Sequence, residues 1–330
     1  MSYLNNTVSV IAQSPQLEHA LIDVVVTIPT YKRPEHVLRT LQSVVAQTTK
    51  QRFAVILIEN DAEGLQGVTA TKALFASGQM VGTLIIAHER GNCNAYNAGW
   101  HIALLLYPNF KDLIVIDDDE IADPDWLERM CAARRSYGVD IVGGPQVPVF
   151  EKPAQKRLAN HPVFSAPYKV SGPVDLLYSS GNLLVSRAVL DAMPFPYFDL
   201  KFNFVGGGDA DLMNRATKKG FKLAWCNEAP VYETVPSRRT QADWIRARAL
   251  RNGAISTFVE KRMRKDQPFG SLITFMRSLA LFVVSPIRAI LWTIVSGSPR
   301  TGMYQIYIGL GRVLGEFGYS NEQYRNAEKN

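Results

Sequence analysis

Cysteine, histidine and glycine-rich phosphate loops are scarce in this sequence. The 330 residues include three cysteines, Cys93, Cys131 and Cys226, an odd number without CxxC spacing. They indicate neither a disulfide framework nor a zinc cluster, and they favour a reducing cytoplasm. The five histidines show no ligand-like spacing, and neither a P-loop nor a GxGxxG fingerprint occurs. Thiolate metal sites, Ser-His-Asp catalysis and GxGxxG-type dinucleotide binding are therefore not indicated.

A targeting signal is also missing from the N-terminal segment. Residues 1–20 contain Glu18 and His19 and no apolar run flanked by basic residues. A secretory signal is therefore not expected, which again favours the cytoplasm.

Positive charge is concentrated in one segment. The chain has a net charge of +6 at pH 7, and residues 236–266 alone hold nine basic and three acidic side chains. The rest of the chain is balanced. Such a segment favours contact with phosphates, anionic lipid headgroups or nucleic acid, and a solvated helical face is the alternative.

Short apolar, β-branched runs dominate the first third of the chain. They cover residues 22–28, 53–58, 82–88 and 113–117, and their polarity does not alternate. Runs of this kind are typical of strands buried on both faces of a parallel sheet. Helical patterns at 34–47 and 94–106 lie between them. The sequence therefore predicts an α/β fold with a doubly wound, mostly parallel sheet. The first helix should bury one face, formed by Val37, Leu38, Leu41, Val44 and Val45.

Beyond residue 120 the pattern is less regular. Asp123 is predicted to cap a helix in which Pro124 is the first residue. Residues 144–175 are rich in proline and glycine, as expected of loops that wall a cleft. A strand over 175–187, a helix over 210–219 and a strand over 222–226 are predicted to follow.

Residues 271–295 form a very apolar stretch that Arg277, Pro286 and Arg288 interrupt. A central arginine costs a few kcal/mol in a spanning helix, so a single transmembrane helix is not expected. An interfacial pair of amphipathic helices would bury its apolar face in lipid while the arginines reach the headgroups. Helices packed on the catalytic core or in a dimer interface are the alternative.

Four adjacent acids follow the fourth apolar run, in the sequence "LIVIDDDEIADPDW" from residue 113. In an open α/β sheet, ligands bind outside the carboxyl ends of the strands. On an extended segment, Asp117 and Asp119 would face one cleft and Asp118 the opposite side. Two carboxylates at a strand end suit Mg²⁺ or Mn²⁺, which keeps waters and bridges substrate phosphates. An acidic cap on the next helix is the alternative.

Taken together, four motifs resemble the family 2 glycosyltransferases, which are inverting, nucleotide-sugar-dependent enzymes of the GT-A fold. The later segment "VYETVPSRRTQADWIRARALRNG" is similar to the bacterial branch that builds polysaccharides. The resemblance covers about residues 21–255 and rests on four sequences in the family's order: "VVVTIPTYKRPEHVLRTLQSVVAQ", "VILIEND", "LIVIDDDE" with "DPDWL", and "GGGDADLMNRATKKGF".

The resemblance implies a domain plan. A catalytic domain would occupy residues 21–255, divided into a nucleotide-binding half, 21–120, and an acceptor half, 121–255. An N-terminal extension, 1–20, would precede it. A helical region, 256–330, that associates with a membrane or packs on the core would follow it.

The family's Asp-x-Asp motif maps onto Asp117 and Asp119. The resemblance implies that Asp119 holds the metal while Asp117 lies near the nucleotide ribose, with Asp118 in the same nucleotide-sugar site. A cation there would stabilise the leaving diphosphate. The family's general base is the aspartate of a Glu-Asp pair, which maps onto Asp209, although Gly208 replaces the glutamate. Asp211 is the second candidate, and a helix cap is the alternative role for Asp209.

Family precedent also places the nucleotide at two strand ends. The first offers Pro29, Thr30, Tyr31 and Arg33, and ordinary packing is the alternative for the tyrosine. The second offers Glu59 and Asn60, where the family has Asp-Asp or Asp-Asn. A side chain there that accepts a hydrogen bond would bind an imino N–H such as that of uracil, so a UDP-sugar is the favoured donor. The base itself stays open because glutamate replaces aspartate.

The chain departs from the family in the helix before the acids, where Tyr96 stands in place of a phosphate-neutralising arginine. The charge is expected from Arg90 or from the basic segment 238–251 instead. On a helix, Trp244, Arg248 and Arg251 would share a face and bind a diphosphate, and a membrane-facing basic helix is the alternative. Three further residues are candidates near the acceptor or the diphosphate, namely Gly181, Asn182 and Glu233.

Three functions remain open at this point. The favoured one is an inverting, metal-dependent glycosyltransferase at the inner face of the cell membrane, acting on a polysaccharide or lipid-linked glycan. A nucleotidyltransferase would also use paired acids and a metal, but "TIPTYKRP" lacks that class's glycines. A non-catalytic basic protein is the third, and nucleic acid is not the expected partner because Trp244 is the only aromatic residue within 236–257.

Overall fold

The computed structural model describes residues 7–15, 17–320, 322 and 325. The first six residues of the predicted N-terminal extension lie outside this range. The strands are β1 (Val8–Gln13), β2 (Val24–Thr30), β3 (Phe53–Glu59), β4 (Gly82–Ala87), β5 (Asp112–Ile116), β6 (Glu120–Ala122), β7 (Ile141–Gly143), β8 (Gln146–Phe150), β9 (Gly172–Val174), β10 (Asn182–Ser186), β11 (Leu223–Trp225) and β12 (Val231–Val235).

Helices alternate with the first strands and then dominate the C-terminal third. Short 3₁₀ turns occur at His19–Leu21, Pro153–Leu158, Leu200–Phe202 and Ser237–Thr240. The α-helices are α1 (Pro34–Val45), α2 (Gln66–Ala76), α3 (Asn92–Leu106), α4 (Trp126–Tyr137), α5 (Arg187–Ala192), α6 (Gly208–Lys218), α7 (Ala242–Met263), α8 (Gly270–Ser296) and α9 (Pro299–Glu316).

The chain divides into two compact units. The first comprises Met1–Val147, Tyr168–Asn203 and Ala216–Glu233, and the second comprises Pro148–Pro167, Phe204–Arg215 and Thr234–Asn330.

A nine-stranded sheet in the order β1-β4-β3-β2-β5-β10-β7-β11-β9 forms the first unit's centre. The four predicted strands β4, β3, β2 and β5 lie side by side and parallel, which confirms the α/β prediction. Every residue of β5 is buried, because helices cover both faces of a parallel sheet. Parallel pairing brings the carboxyl ends of β2, β3 and β5 to one edge. A second sheet has the order β6-β12-β8.

Helix α1 follows the predicted pattern, with Pro34 in its first turn and one buried face. The prediction was wrong for Val45, which is 53% exposed at the last turn. The face that packs on the sheet is formed by two valines, one leucine and one threonine, namely Val37, Val44, Leu41 and Thr40. Burial of each aliphatic side chain contributes about 1.5–3 kcal/mol to this packing.

Two predicted boundaries were wrong. Helix α4 begins at Trp126, not at Pro124, and no side chain caps it. The Asp123 carboxylate lies 3.5 Å from Arg129 Nη1 instead of capping the helix. The strand predicted over 175–187 is limited to β10, and residues 175–181 form a loop ending beside the acidic residues.

Helices α7, α8 and α9 make up most of the second unit. Helix α9 packs along both α7 and α8. The α7–α9 contact is close because a Cβ at Gly253 or Gly311 would collide with the backbone of the facing helix. The second unit has its own small core, which is formed by Leu158, Ile245, Ala249 and Tyr304.

Helix α8 is a single helix of 27 residues that continues through Pro286. A proline cannot donate to the carbonyl four residues earlier, which here is that of Phe282. The Ser285 hydroxyl donates to that carbonyl oxygen at 2.7 Å, so the carbonyl that the proline leaves without a donor is satisfied. By length and by its mean hydropathy of 1.9, α8 is long and apolar enough to cross a membrane.

Candidate active site

The predicted nucleotide and metal residues of the first unit gather where β2, β3 and β5 end. Residues 118 and 119 form a turn rather than continuing β5. Asp118 was expected to face away from Asp119, and this expectation was wrong. The turn directs both carboxylates to one guanidinium, that of Arg33.

Asp118 connects the ends of β2 and β5. It is 5% exposed, and its Oδ2 accepts hydrogen bonds from Thr30 Oγ1 at 2.8 Å and from Tyr31 N at 3.4 Å. Its Oδ1 accepts from Arg33 Nη1 at 3.0 Å. Burial raises the pKa of Asp118 to about 6, although Arg33 opposes the rise. Asp118 therefore holds the β2 loop in place, with every contact made inside the protein.

Arg33 supplies the cation that the adjacent acids require. Its Nη1 also donates to Asp119 Oδ2 at 2.8 Å. Burial disfavours the charged guanidinium, but Asp118 and Asp119 together raise the pKa of Arg33 above its ordinary value. Lys32, just before it, has a left-handed φ of 57°, which is an uncommon conformation for a lysine. This turn places Arg33 over the acids.

Asp117 has a different environment. Its Oδ1 accepts a hydrogen bond from the Tyr96 hydroxyl at 2.8 Å, and its backbone N donates to Glu120 Oε2 at 2.9 Å. Burial and the nearby carboxylate of Asp119 raise the pKa of Asp117 to about 7. A carboxylate with this pKa is stabilised by any cation that approaches it.

Glu120 and Glu233 complete the acidic cluster. They face each other across the β6–β12 pairing, and Glu120 is fully buried with a hydrogen bond from Gln146. Burial, Asp117 and Glu233 raise the pKa of Glu120 well above its usual value. A Cβ at Gly181 would lie 2.8 Å from Asp117 Oδ2 and 2.9 Å from Glu120 Oε1, and closer still to the Gln146 amide, so a larger residue would have to displace these side chains. Two predicted residues, Gly181 and Glu233, therefore lie at the acids.

The donor set limits how a divalent cation could be held. Within the described part of the chain, no three His, Cys, Asp or Glu side chains are arranged as a metal cage. Mg²⁺ and Mn²⁺ are often held by one or two carboxylates, with waters and substrate phosphates completing the shell. Asp117 and Asp119 fit that arrangement because the first has a raised pKa and the second already binds a cationic group.

Glu59 and Asn60 make their hydrogen bonds within the scaffold. Glu59 is fully buried and accepts from the backbone nitrogens of Asp61, Gly67 and Val68, which fixes the start of α2. Asn60 bonds to the carbonyls of residues 87 and 89 and to the nitrogen of residue 91. Both residues lie at the predicted strand end, and their polar atoms are used by the protein.

Tyr31 is half-buried beside two cations. The guanidinium carbon of Arg90 lies 4.8 Å from the centre of its ring, and Lys32 Nζ lies 5.3 Å from it. Pro29 is half-buried at the end of β2, next to the buried Thr30. Arg90, one of the two expected sources of positive charge, therefore lies against the Tyr31 ring.

Asn182 is 1% exposed and serves the fold. Its Oδ1 accepts from Trp126 Nε1 at 2.8 Å, and its Nδ2 donates to the carbonyls of Pro145 and Ala229. An amide with these three bonds has little capacity left for a sugar.

Asp209 lies in the first turn of α6, in the second unit. Its Oδ1 accepts from Ala210 N at 2.9 Å, and the side chain is half-buried. Burial raises the pKa of Asp209, while Arg251 and Arg248 oppose the rise. Two glycines with left-handed φ angles, Gly206 at 84° and Gly207 at 91°, turn the chain into this helix. The carboxylate is thus more basic than an ordinary aspartate.

Asp211 is engaged in an ion-pair network. Its carboxylate is 1% exposed and lies 2.7 Å from Arg215 Nε and 2.9 Å from Arg262 Nε. Because two guanidiniums bind it, Asp211 is poorly suited to take a proton. Trp244 and Arg248 also lie in the second unit, with the guanidinium carbon 5.7 Å from the ring centre, as the helical spacing predicted.

Sequence reasoning missed the roles of Tyr96, Glu120 and Gln146. Tyr96 had been noted only as the loss of an arginine, yet it is 2% exposed and donates to Asp117. Glu120 belongs to the quoted acidic run, and its complete burial is what the sequence could not show. Gln146, near the start of the proline-rich segment, gave no signal at all.

The fold and the site together define a sugar-transfer enzyme of the GT-A class. The glycosyl transferase family 2 model matches residues 25–193, which is more than half of the chain. The chain belongs to this family and is a glycosyltransferase, which confirms the resemblance described above.

Similar proteins agree with this assignment. The succinoglycan biosynthesis protein ExoM of Rhizobium meliloti is 28% identical over 230 residues, which is 68% of this chain and 71% of that protein. The glycosyltransferase AglE of Haloferax volcanii is 25% identical over 206 residues, which is 62% of this chain and 64% of that protein.

A solved structure shows the same fold. The mannosyltransferase PcManGT of Pyrobaculum calidifontis, in complex with GDP-Man and Mn²⁺, aligns with a TM-score of 0.56 at 14% identity. The alignment covers 94% of this chain and 92% of that one. S. aureus TarS 1-349 in complex with UDP aligns with a TM-score of 0.50 at 14% identity, over 93% and 98% of the two chains.

Proposed function

We propose that this protein transfers a sugar from a nucleoside-diphosphate sugar to a hydroxyl of a polysaccharide or lipid-linked glycan, with inversion and with a divalent cation. The main support for this proposal is the acidic cluster at the end of β5, where burial and Asp119 raise the pKa of Asp117 to about 7 and Asp119 binds a guanidinium. Family membership decides against the nucleotidyltransferase and the non-catalytic protein.

The donor would lie against the ends of β2 and β5. Tyr31, with the Arg90 guanidinium over its ring, would stack with the base, while Arg33 would move from Asp119 to the diphosphate. Asp117 and Asp119 would hold Mg²⁺ or Mn²⁺. When bound, such an ion acts as a Lewis acid that stabilises charge on the leaving diphosphate. The complex of PcManGT with GDP-Man and Mn²⁺ supports this arrangement by its fold.

UDP is the favoured nucleotide, as the sequence predicted, and TarS has been crystallised with UDP. The Glu59 oxygens are taken by the start of α2, so the base would be bound by Tyr31 and by backbone groups at residues 29–31.

Asp209 would act as the general base. Its carboxylate would take the proton of the acceptor hydroxyl as the oxygen attacks the anomeric carbon, on the face opposite the leaving diphosphate. One displacement breaks the bond to the diphosphate and inverts the configuration. Burial raises the pKa of Asp209, which improves it as a base. Trp244 and Arg248 would contact the acceptor or a diphosphate attached to it.

The relatives and α8 support the proposed acceptor and location. ExoM is a succinoglycan biosynthesis protein, which supports a growing glycan as the acceptor. The apolar α8 supports a location on the inner face of the cell membrane, where lipid-linked acceptors are found.

The test is a thermal-shift screen of nucleotide sugars with and without Mn²⁺. A true donor raises the melting temperature by mass action, and the rise should require the ion. Asp119→Asn should remove the Mn²⁺-dependent rise, whereas Asp123→Asn, a matched acid outside the cluster, should keep it. If no nucleotide sugar stabilises the wild-type protein in either condition, the proposed donor class is wrong.

A further inference from the structure

Helix α8 has an inverted distribution of polar and apolar side chains. Its buried residues are small or polar, namely Gly270, Thr274, Ser278, Ser285 and Ala289. Its large apolar residues face outwards, with Val283 66%, Ile287 61% and Ile290 62% exposed. Helices of soluble proteins normally bury their apolar face. The exposed face of α8 therefore suits apolar surroundings better than water.

The exposed apolar surface is long and continuous along the helix. A helix of 27 residues is about 40 Å long. Soluble monomers rarely expose an apolar patch of more than a few hundred Å². The large apolar side chains exposed on α8 are Leu272, Ile273, Met276, Leu279, Val283, Val284, Ile287, Ile290, Leu291, Trp292, Ile294 and Val295.

The opposite face of α8 is tied to charged groups on its neighbours. Ser278 Oγ donates to Glu316 of α9 at 2.9 Å, and Glu316 also pairs with Lys261 of α7 at 2.7 Å. Glu260 of α7 binds Arg312 of α9 at 3.0 Å. Crossing a bilayer would carry this charged layer into hydrocarbon, where each charge is costly. Only the outer face of α8 can enter lipid without that cost.

Charge distinguishes lipid from a second copy of the chain. Helix α8 contains no Asp or Glu, but it carries Arg277 and Arg288. Arg277 already lies 3.7 Å from Glu260 of α7. In a symmetric contact between two α8 helices, Arg288 would enter an apolar interface with no acid from α8 to pair with. Lipid phosphates at the membrane surface supply such acceptors, and long arginine side chains reach them. Exposed Phe269 and Trp292 near the two ends suit the same interface.

We infer that α8 lies in the plane of a membrane and inserts its outer face into one leaflet of lipid with anionic headgroups, without crossing it. Such helices sink about 5–10 Å into the headgroup boundary. This inference deepens the membrane location in the proposed function. None of its tests measures sugar transfer, so its failure is distinct from failure of the proposed activity.

The first experiment measures binding of the full chain to vesicles by sedimentation. One set of vesicles is phosphatidylcholine, and the other is an equimolar mixture of phosphatidylcholine and phosphatidylglycerol. The protein should bind both, and more of it should bind the anionic set. The double variant Val283→Glu/Ile287→Glu should lower the partition coefficient at least about tenfold. Val170→Glu, at a valine 79% exposed in the first unit, is the matched control and should bind like the wild type.

Two results of that experiment would overturn the inference. One is a wild-type protein that stays in the supernatant with both vesicles. The other is a double variant that sediments as well as the wild type. Light scattering in solution tests the second-copy alternative. If the wild type is dimeric, the double variant is monomeric and neither binds vesicles, α8 is an interface between copies.

The second experiment determines whether α8 crosses the membrane. Ser271→Cys and Ser296→Cys place a thiol at each exposed end of α8. The three native cysteines are buried and should react slowly. In bacterial cells expressing either variant, a membrane-impermeant maleimide should label both sites only after the cells are permeabilised. Labelling of one end in intact cells would show that α8 spans the membrane and would overturn the inference.

Discussion

Arg33 Nη1 donates to Asp119 Oδ2 at 2.8 Å, which places a cationic side chain where the family's metal is expected to bind. The same nitrogen contacts Asp118, so the guanidinium neutralises two of the four adjacent acids. The protein therefore carries its own counter-ion, which must leave Asp119 before a metal can use that oxygen.

Arg33→Gln should strengthen the binding of Mn²⁺ in the absence of nucleotide. A partly exposed ion pair is worth about 1 kcal/mol, so the affinity should rise about fivefold. Titration followed by electron paramagnetic resonance of free Mn²⁺ measures this directly. Arg39→Gln removes an exposed arginine from α1, the helix that follows Arg33, and should change little. Unchanged or weaker Mn²⁺ binding in Arg33→Gln would show that the arginine does not compete with the ion.

Tyr96→Phe should lower both stability and metal-dependent donor binding. The change leaves Asp117 without its 2.8 Å donor, and a lost buried hydrogen bond costs about 1–3 kcal/mol. Urea unfolding gives the stability, and calorimetry gives the donor affinity. Tyr107→Phe is a matched control because that buried hydroxyl bonds to Thr83 at 3.3 Å, away from the acids. Equal loss of donor binding in the two variants would mean that Tyr96 has only a structural role.

Asp209→Asn and Asp211→Asn should fail in different ways. Asp209→Asn should reduce transfer at least about 100-fold, the loss expected of a general base, and leave donor affinity unchanged. Asp211→Asn should lower the free energy of unfolding by about 3 kcal/mol, because Arg215 and Arg262 lose a buried partner. Single-turnover rates and urea midpoints separate the two effects. Wild-type transfer by Asp209→Asn would remove it as the base.

The rate of transfer should fall on the acidic side at a higher pH than an ordinary aspartate would give. The base must be deprotonated, so activity should fall as pH drops through the pKa of Asp209, which lies above 3.8. Arg248→Gln removes a charge that lowers this pKa and should move this fall in rate to higher pH. Arg246→Gln, at an arginine paired with Asp243, is the control and should leave the fall in place.

The contribution of Asp209 to folding stability should decrease as pH rises, whereas transfer activity should increase. Because the folded pKa of Asp209 is raised, the folded state holds its proton more tightly than the unfolded chain. Stability from this group is highest below pH 3.8 and falls as pH rises through the folded pKa. Asp209→Asn should remove this part of the pH dependence in urea unfolding.

The predictable parts of the fold are those with strong local patterns. Strands β2 to β5 are continuous apolar runs, and Pro34 marks the start of α1, so both could be predicted. The continuation of helix α8 through Pro286 could not, because the Ser285 hydroxyl bonds the carbonyl that this proline leaves without a donor. Propensity alone does not reveal such a bond.

The position of the acidic cluster at the end of β5 was predictable, but its contacts were not. Asp117 and Asp119 follow a buried strand, and the motif pointed to them. The acids differ in their hydrogen-bond partners, and these partners lie far away in sequence. Tyr96 donates to Asp117, and Gln146 donates to Glu120. The anchoring of α2 by Glu59 was equally hidden, because an acid at a strand end can face a ligand or a helix start.

Gly181 has a consequence for engineering. A Cβ at this position would meet the side-chain ends of Gln146, Asp117 and Glu120. A mutant library that varies the loop 175–181 should therefore recover the native residue more often at its last position than at Tyr178, which is 60% exposed. New specificity would be selected at the tyrosine, because a side chain added at residue 181 would have to push the acids apart.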